Sequence, residues 1–371
     1  MTDPDRTARV FVTALALTDF RSHAARRFVF GRRSVALVGD NGAGKTNVLE
    51  ALSLLSPGRG LRRATLAEIA RIGGAGGFSV SAEIEGALGP VRIGTGLVPG
   101  EAGRQVRIDG EPARSMDALS DHARVLWLTP AMDGLFTGPA SDRRRFLDRL
   151  VLALDPAHGR RVAAFEQALT RRNRLLEDHR TDPAWLDAVE TETAALGVAV
   201  AAARREAVGC LVRLIDAGGA DDAFPAARLA LEGDVEAALE AASASDVEDW
   251  YRTDLAAARS RDRAAGRTLT GPQRADLRVH HAAKAMPAEL SSTGEQKALL
   301  IALVLAQARL VAEQTGITPI LLLDEVAAHL DPGRRAALFA RLDRDGGQSF
   351  MTGTDPAAFT ALGGDAAIVA L

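Results

Sequence analysis

Residues Gly39-Asp40-Asn41-Gly42-Ala43-Gly44-Lys45-Thr46 carry the pattern G-x-x-x-x-G-K-[ST]. Glycines let such a loop curl until successive backbone N–H groups point at a polyphosphate. Lys45 is placed to reach the β- and γ-phosphates, and the Thr46 hydroxyl to sit on Mg2+. A second set lies 278 residues further on, where Pro319-Ile320-Leu321-Leu322-Leu323 ends in Asp324-Glu325. Beside a phosphate loop, that acid pair is what a P-loop ATPase needs. Asp324 would hold Mg2+, directly or through water, and Glu325 would polarise the attacking water as general base. The bland alternatives are a glycine-rich turn with a lone lysine, and acids that merely end a strand. In a chain with three lysines a chance match is on the order of 0.003, so the pattern predicts ATP or GTP binding.

These residues need elements to hold them. Ser34-Val35-Ala36-Leu37-Val38 is a short apolar run that reads as a buried strand, and Asn47 to Leu55 reads as a helix. A helix beginning near Lys45 adds the positive end of its dipole to the phosphate site. Strands are predicted at Val10–Leu17 and near Arg27–Phe30, and again at Phe78–Ile84, Pro90–Thr95 and Gln105–Ile108, with a hairpin turn at Asp109-Gly110. Val125-Leu126-Trp127-Leu128 is another buried strand. Helical spacing then takes over in Ala140–Leu154, Gly159–Arg180 and Ala184–Ala217, with a further helix near Val247–Arg263. Thr293–Thr315 predicts a long apolar helix. An α/β ending follows, with a helix at Pro332–Leu342, a strand at Gln348–Thr352, a helix at Pro356–Leu362 and a strand at Ala367–Leu371.

The fold class is therefore α/β, with an ATP-binding head split by a mostly helical insertion. Boundaries are expected at 1–135 for the first part of the head, 136–270 for the arm and 271–371 for the second part. Arginines crowd the insertion, at Arg143, Arg144, Arg145, Arg160, Arg161, Arg171, Arg172, Arg174, Arg204 and Arg205. They read either as solvated helix faces or as part of a phosphate-contacting surface.

The chain has 371 residues, 47% hydrophobic and 25% charged, with a formal net charge of -3. That is globular composition, and contact with nucleic acid must rest on a local basic face. Cys210 is the single cysteine, so an internal disulfide and a cysteine-based zinc site are excluded and a reducing cytoplasm is expected. Met1-Thr2-Asp3-Pro4-Asp5-Arg6 has no signal-peptide apolar region. The longest glycine-free apolar run, Ala298–Ala306, is too short to span a bilayer, so no membrane partner is expected.

Leu290-Ser291-Ser292-Thr293-Gly294-Glu295-Gln296-Lys297 resembles the signature motif of ABC-type ATPases, with Ser292 and Gly294 in the key places. It opens the long helix, and a serine with backbone N–H groups at a helix start makes an anion site. Ala328-His329-Leu330-Asp331 resembles the D-loop of the same class. The likeness implies that two copies close head to tail on two ATP molecules, the signature of one facing the γ-phosphate on the other.

A narrower resemblance is to the RecF recombination-mediator family. It is carried by Phe20-Arg21-Ser22-His23, by Gly44-Lys45-Thr46-Asn47 with Leu49-Glu50-Ala51, and by Gly58-Arg59-Gly60-Leu61-Arg62. It continues through Gly138–Asp148, Thr270–Leu277 and Ser292–Lys297, in family order from about residue 15 to 355. The resemblance implies an ABC/SMC-type head with a short arm, using ATP and Mg2+. It implies an ATP-gated homodimer on single-stranded or gapped DNA in the cytoplasm, acting in DNA repair, replication restart and SOS induction with partners of the RecO and RecR kind. The nucleotide site it implies is Gly39 to Asn47 with Arg21, Ser292, Gly294 and Asp331. Thr46 and Asp324 would hold the metal, and Lys45, Asp324 and Glu325 would serve catalysis.

This chain departs from the family pattern at Gln273, Ala275 and Ala131. At the switch-histidine position of transporters it carries Phe350-Met351-Thr352-Gly353-Thr354, with Thr352 or Thr354 taking the place. This suggests slow hydrolysis. Arg62 or Arg63 is a candidate for a DNA or γ-phosphate contact, and His23 reads as a packed loop residue or a nucleotide ligand. The competing function is the ATPase subunit of an ABC transporter. A long SMC protein is excluded because its arms need far more residues than this insertion holds.

Overall fold

The computed structural model describes residues 7–178, 182–218, 223–327, 330–362 and 366–371. The chain divides into two compact units. One is drawn from Met1–Asp133, Ala220–Pro225 and Ser292–Leu371, the other from Gly134–Gly219 and Ala226–Ser291.

The first part of the first unit runs β1 (Phe11–Phe20), β2 (His23–Val29), β3 (Val35–Val38), α1 (Lys45–Ser53), α2 (Leu66–Ile69), β4 (Phe78–Gly86), β5 (Gly89–Leu97), β6 (Gln105–Ile108), β7 (Glu111–Pro112) and β8 (Val125–Leu128). The second unit runs α3 (Ala140–Leu154), α4 (His158–Glu177), α5 (Pro183–Ala217), β9 (Ala227–Glu232), α6 (Asp234–Ala241), α7 (Ala244–Ala257), α8 (Arg259–Ala265), β10 (Asp276–His281) and β11 (Met286–Pro287). The first unit then resumes with α9 (Thr293–Thr315), β12 (Ile320–Leu323), α10 (Pro332–Asp345), β13 (Ser349–Gly353) and β14 (Ala367–Ala370).

Two sheets build the first unit. An antiparallel sheet has the order β2-β1-β4-β5-β6-β7, and a parallel one the order β14-β3-β13-β12-β8. The strands β3, β8, β12 and β13 are buried along their whole length, as parallel strands covered on both faces must be. In β1 the pairing with β4 shifts register between Val12 and Ala14. The bulge moves the buried phase from Val12 to Leu15 and Leu17, so both halves of the strand keep an apolar face inward. Asp109 and Gly110 both take positive φ, 50° and 89°, which makes the tight turn joining β6 to β7.

One core holds these layers together. Leu15, Leu17, Phe20, Phe28, Phe30, Leu49, Leu52 and Phe350 belong to it, and Phe30 meets Phe350 edge to face at 4.9 Å between centroids. The buried Gln348 amide ties the sheets. Its Oε1 accepts from Val12 N at 2.7 Å, and its Nε2 donates to the Arg33 carbonyl at 3.0 Å. Helix α9 is long and apolar enough to cross a membrane by length and composition. Its residues Leu299, Leu300, Leu303, Val304 and Val311 are instead buried in the protein.

The second unit is built on the pair α4 and α5, with α7 packed on α5. A Cβ on Gly197 would lie 2.9 Å from Tyr251 Cε1 and 3.0 Å from Phe165 Cε2, so only glycine lets those rings approach the helix. The three strands β11-β10-β9 form an antiparallel sheet. Here the structure differs from the expected seam at 270/271. β10 pairs along its whole length with β9, from Asp276↔Glu232 to His281↔Ala227, so residues 271–291 go with the second unit. No periodicity marks β9 or β10 strongly enough to foresee the pairing. The helix expected near Val247–Arg263 is two helices, α7 and α8. The segment after Pro356 is one short 3-10 turn rather than an α-helix.

Candidate nucleotide site

The site lies at the carboxyl ends of the parallel strands, where ligands of open α/β sheets bind. β3 delivers the phosphate loop and β12 delivers Asp324 and Glu325, and the strand between them is β13. The fold thus brings together residues that lie 278 positions apart. Thr46 Oγ1 stands 3.1 and 3.2 Å from the two carboxylate oxygens of Asp324. A hydroxyl beside a carboxylate is a hard-oxygen donor pair of the kind Mg2+ takes when phosphate oxygens complete its shell. Among the described residues no three His, Cys, Asp or Glu side chains gather to hold a metal unaided, so a cation here would share its ligands with a phosphate.

Inside the loop, Gly42 and Gly44 have φ of 88° and 96°, the left-handed region that glycine takes without strain. Asp40 O accepts from Ala43 N at 3.2 Å, and α1 starts at Lys45. Lys45 Nζ donates to the carbonyls of Gly39 at 2.6 Å and Asp40 at 2.9 Å. The ammonium therefore already lies over the cradle, held by carbonyls that a phosphate would replace. Asn41 is exposed at the tip.

Around the rim the residues form a chain of bonds. Asn47 Nδ2 donates to Ser22 Oγ at 2.9 Å, and Arg62 Nη1 donates to Asn47 Oδ1 at 2.8 Å. Arg21 grips the buried Glu50 with two nitrogens, at 2.7 and 2.6 Å, and Arg62 adds a third bond to Glu50 at 3.0 Å. The Glu50 carboxylate pushes the Arg21 pKa upward. Arg21 is thus neither an isolated surface arginine nor free to swing. His23 packs on the loop so tightly that a Cβ on Gly44 would lie 2.9 Å from its ring. Burial, helped by the Arg26 charge, pulls its pKa below the ordinary value.

A second set sits on the tips of α9 and α10. Ser292 caps α9, its hydroxyl accepting from Glu295 N while Glu295 Oε2 accepts from Ser292 N at 3.0 Å. This capping box fixes the serine at the helix start and leaves it exposed. Asp331 caps α10 by accepting from Arg334 N at 2.9 Å. Arg334 Nη1 reaches the Gly294 carbonyl at 3.3 Å, so the two helix tips are joined by a residue that sequence reasoning did not single out. Of the D-loop-like segment, Ala328 and His329 lie outside the described residues. Lys297, one turn into α9, pairs with Asp133 beyond the end of β8.

Of the two threonines offered at the switch-histidine position, Thr352 lies inside the protein. It is fully buried, donates to Asp324 Oδ1 at 2.8 Å and accepts from Glu325 N at 2.8 Å. Thr354 is exposed.

Within the arginine-rich insertion Arg145, Arg160, Arg171, Arg174 and Arg205 are exposed, as on a solvated face, but four others depart from both expectations. Arg172 is fully buried and bonds Glu190 at 3.0 Å and Asp262 at 2.7 Å. Arg204 bonds both oxygens of Asp148, at 2.7 and 2.8 Å, and the Pro272 carbonyl at 2.7 Å. Arg143 pairs with Asp276, and Arg144 donates to the Ala275 carbonyl at 2.7 Å. These arginines are internal staples. Their partners lie so far away in sequence that helical spacing could not distinguish them from a solvated face.

Known proteins resemble this chain along nearly its whole length. The sequence family described as RecF/RecN/SMC N terminal domain matches residues 11–362. A DNA replication and repair protein RecF from Rhizobium johnstonii is 58% identical over 357 residues, covering 96% of this chain and 95% of the relative. One from Agrobacterium fabrum is 58% identical over 360 residues, covering 96% of each. A solved structure of the recombination mediator protein RecF-ATPrS in the RecFOR pathway matches with a TM-score of 0.87 at 20% identity, over 98% of this chain and 97% of that one. An Smc head bound to the C-winged helix domain of ScpA matches at 0.54 and 14% identity, over 97% and 93%. At these identities the structures speak for the fold, that of an ABC/SMC-type ATPase head. The relatives speak for descent: the chain belongs to the RecF family.

Proposed function

We propose that this chain is an ATP-dependent, DNA-binding recombination mediator that works in the cytoplasm in DNA repair, replication restart and SOS induction. The observation that carries the reading is the meeting of Thr46 with both oxygens of Asp324 across 278 residues, beside a Lys45 ammonium already over the loop. The names of its relatives, DNA replication and repair proteins, and of its solved neighbours, RecF with ATP or ATPrS, support the biological setting.

In this reading Lys45 turns from the Gly39 and Asp40 carbonyls to the phosphates, and the loop N–H groups hold them. Thr46 and Asp324 hold Mg2+, which when bound offsets phosphate charge. Glu325 accepts the proton of the attacking water. Hydrolysis is slow, because the chain has threonines where transporters have a switch histidine. Ser292 and the start of α9, with Asp331 nearby, close on the nucleotide of a second copy, so that ATP gates a homodimer on single-stranded or gapped DNA. Partners of the RecO and RecR kind act with that dimer.

Nucleotide and DNA binding together test the reading. The wild-type chain should bind gapped DNA several-fold more tightly with ATP than without it, and Lys45→Ala should lose both nucleotide binding and the ATP effect. Nucleotide binding that survives Lys45→Ala, or DNA binding indifferent to ATP in the wild type, would refute it.

A further inference from the structure

The geometry points to Thr352 as a positioning residue that sets both acids of the site through its hydroxyl. This rests on the ATPase reading above and adds to it a residue that acts through Asp324 and Glu325. β13 lies between the strand that carries the phosphate loop and the strand that carries the acids. Thr352 stands near its carboxyl end, level with Leu37 of β3, and is fully buried.

A hydroxyl has one proton to give and lone pairs to accept with, and Thr352 uses both. It gives its proton to Asp324 Oδ1 at 2.8 Å, while Thr46 approaches both carboxylate oxygens at 3.1 and 3.2 Å. The carboxylate is therefore oriented by hydroxyls from two neighbouring elements, with its backbone N bonded to the Leu128 carbonyl at 2.9 Å. The Thr352 oxygen accepts from Glu325 N at 2.8 Å.

That second bond has a particular target. Glu325 has a φ of 54°, a left-handed conformation that a residue with a Cβ adopts only at a cost, and that persists where the surroundings hold it. The Thr352 hydroxyl is such a hold. It stops the chain from relaxing just where strand β12 ends, and so fixes the direction in which the Glu325 side chain leaves the backbone. Valine in this place would keep the shape and remove both bonds, leaving the Glu325 N–H without its partner. Serine would keep both.

The test compares Thr352→Val with Thr352→Ser. Hydrogen exchange of a peptide spanning residues 321–327, measured without nucleotide, should speed up by about tenfold in the valine variant and stay near wild type in the serine variant. ATP turnover should fall by about tenfold or more in Thr352→Val, with nucleotide affinity changed by less than about threefold, and recover in Thr352→Ser. If valine unfolds the chain, Thr352→Cys, similar in size but a weak donor and acceptor, carries the same expectation. Unchanged exchange in the valine variant, unchanged turnover, or a serine variant as defective as valine would each overturn the inference. Turnover that persists in Lys45→Ala removes the ATPase reading itself, and the inference with it. Lys45-dependent turnover that Thr352→Val leaves intact removes the inference alone.

Discussion

Arg143 holds Asp276 with two nitrogens, Nε at 2.6 Å and Nη2 at 2.9 Å from its two carboxylate oxygens. The remaining nitrogen, Nη1, donates to the Gly138 carbonyl at 2.7 Å. The pair fastens α3 to β10 across 133 residues. A second clasp lies beside it, where Arg204 joins Asp148 to the Pro272 carbonyl. The segments Gly138–Asp148 and Thr270–Leu277, which carry part of the resemblance to the RecF family, are therefore two halves of one internal lock. Fork-to-carboxylate geometry explains why arginine rather than lysine serves here.

Removing one member of that lock leaves a charge half-buried without its partner. Asp276→Asn or Arg143→Met should lower the unfolding free energy by about 3 kcal/mol, read from urea denaturation of the full chain. In a double-mutant cycle the two changes should couple by about 1–3 kcal/mol. Coupling near zero would mean that the pair contributes geometry without stability.

The same carboxylates set the acid limit of the fold. Burial alone would raise the pKa of Asp276 and of Asp148. The bonds from Arg143 to the first, and from His158 and Arg204 to the second, more than offset it, and both end below the ordinary value. A carboxylate whose pKa is lower folded than unfolded contributes stability at pH above its unfolded value, about 3.9. That contribution is lost as pH falls through the folded value. Stability should therefore be flat in this respect from pH 7 to about 5 and drop steeply below about pH 4. Asp276→Asn should flatten the acid limb, as followed by thermal melts across that range.

Much of this was legible in the chain alone. The loop Gly39–Thr46 and the acids at Asp324 and Glu325 announce themselves because the chemistry proposed for them requires adjacent residues. Helix α9 runs from Thr293 to Thr315 as its spacing predicts, since a serine capping box starts it and Gly316 in a left-handed conformation ends it. What stayed hidden is long-range. The pairing of β9 with β10, the arginine staples, and the Arg334 bridge to Gly294 each depend on partners that no local pattern names. Thr352 could be placed on a strand, but only the strand order put it between the two acids and the loop.

The proposed dimer gating makes opposite demands on two residues. In that reading Glu325→Gln removes the base and keeps the phosphate loop, so nucleotide binding should persist while an ATP-bound dimer accumulates in size-exclusion runs. Ser292 stands exposed at the start of α9, and Ser292→Arg should block closure of the dimer while each monomer still binds ATP. A Glu325→Gln chain that stays monomeric at saturating ATP, or a Ser292→Arg chain that dimerises normally, would argue against a composite site.

Glu50 supports the rim of the phosphate loop from within, so its removal should be felt at the loop. Its side chain is 2% exposed and carries bonds from both Arg21 and Arg62. Arg62 also holds Asn47, the residue after Thr46. Glu50→Ala leaves two guanidinium groups without their shared acid and should destabilise the chain by about 3 kcal/mol. Glu50→Gln keeps the shape and an acceptor for one of them, and should cost less. Because α1 carries Lys45, Thr46, Asn47 and Glu50 on two turns, the loss should also weaken nucleotide binding, with Glu50→Ala worse than Glu50→Gln. Arg62→Ala should be milder than either, since Arg21 alone can still satisfy both oxygens. Thermal melts and nucleotide titrations of the three variants give the order. A Glu50→Ala chain with wild-type stability and affinity would show that the arginines stand without it.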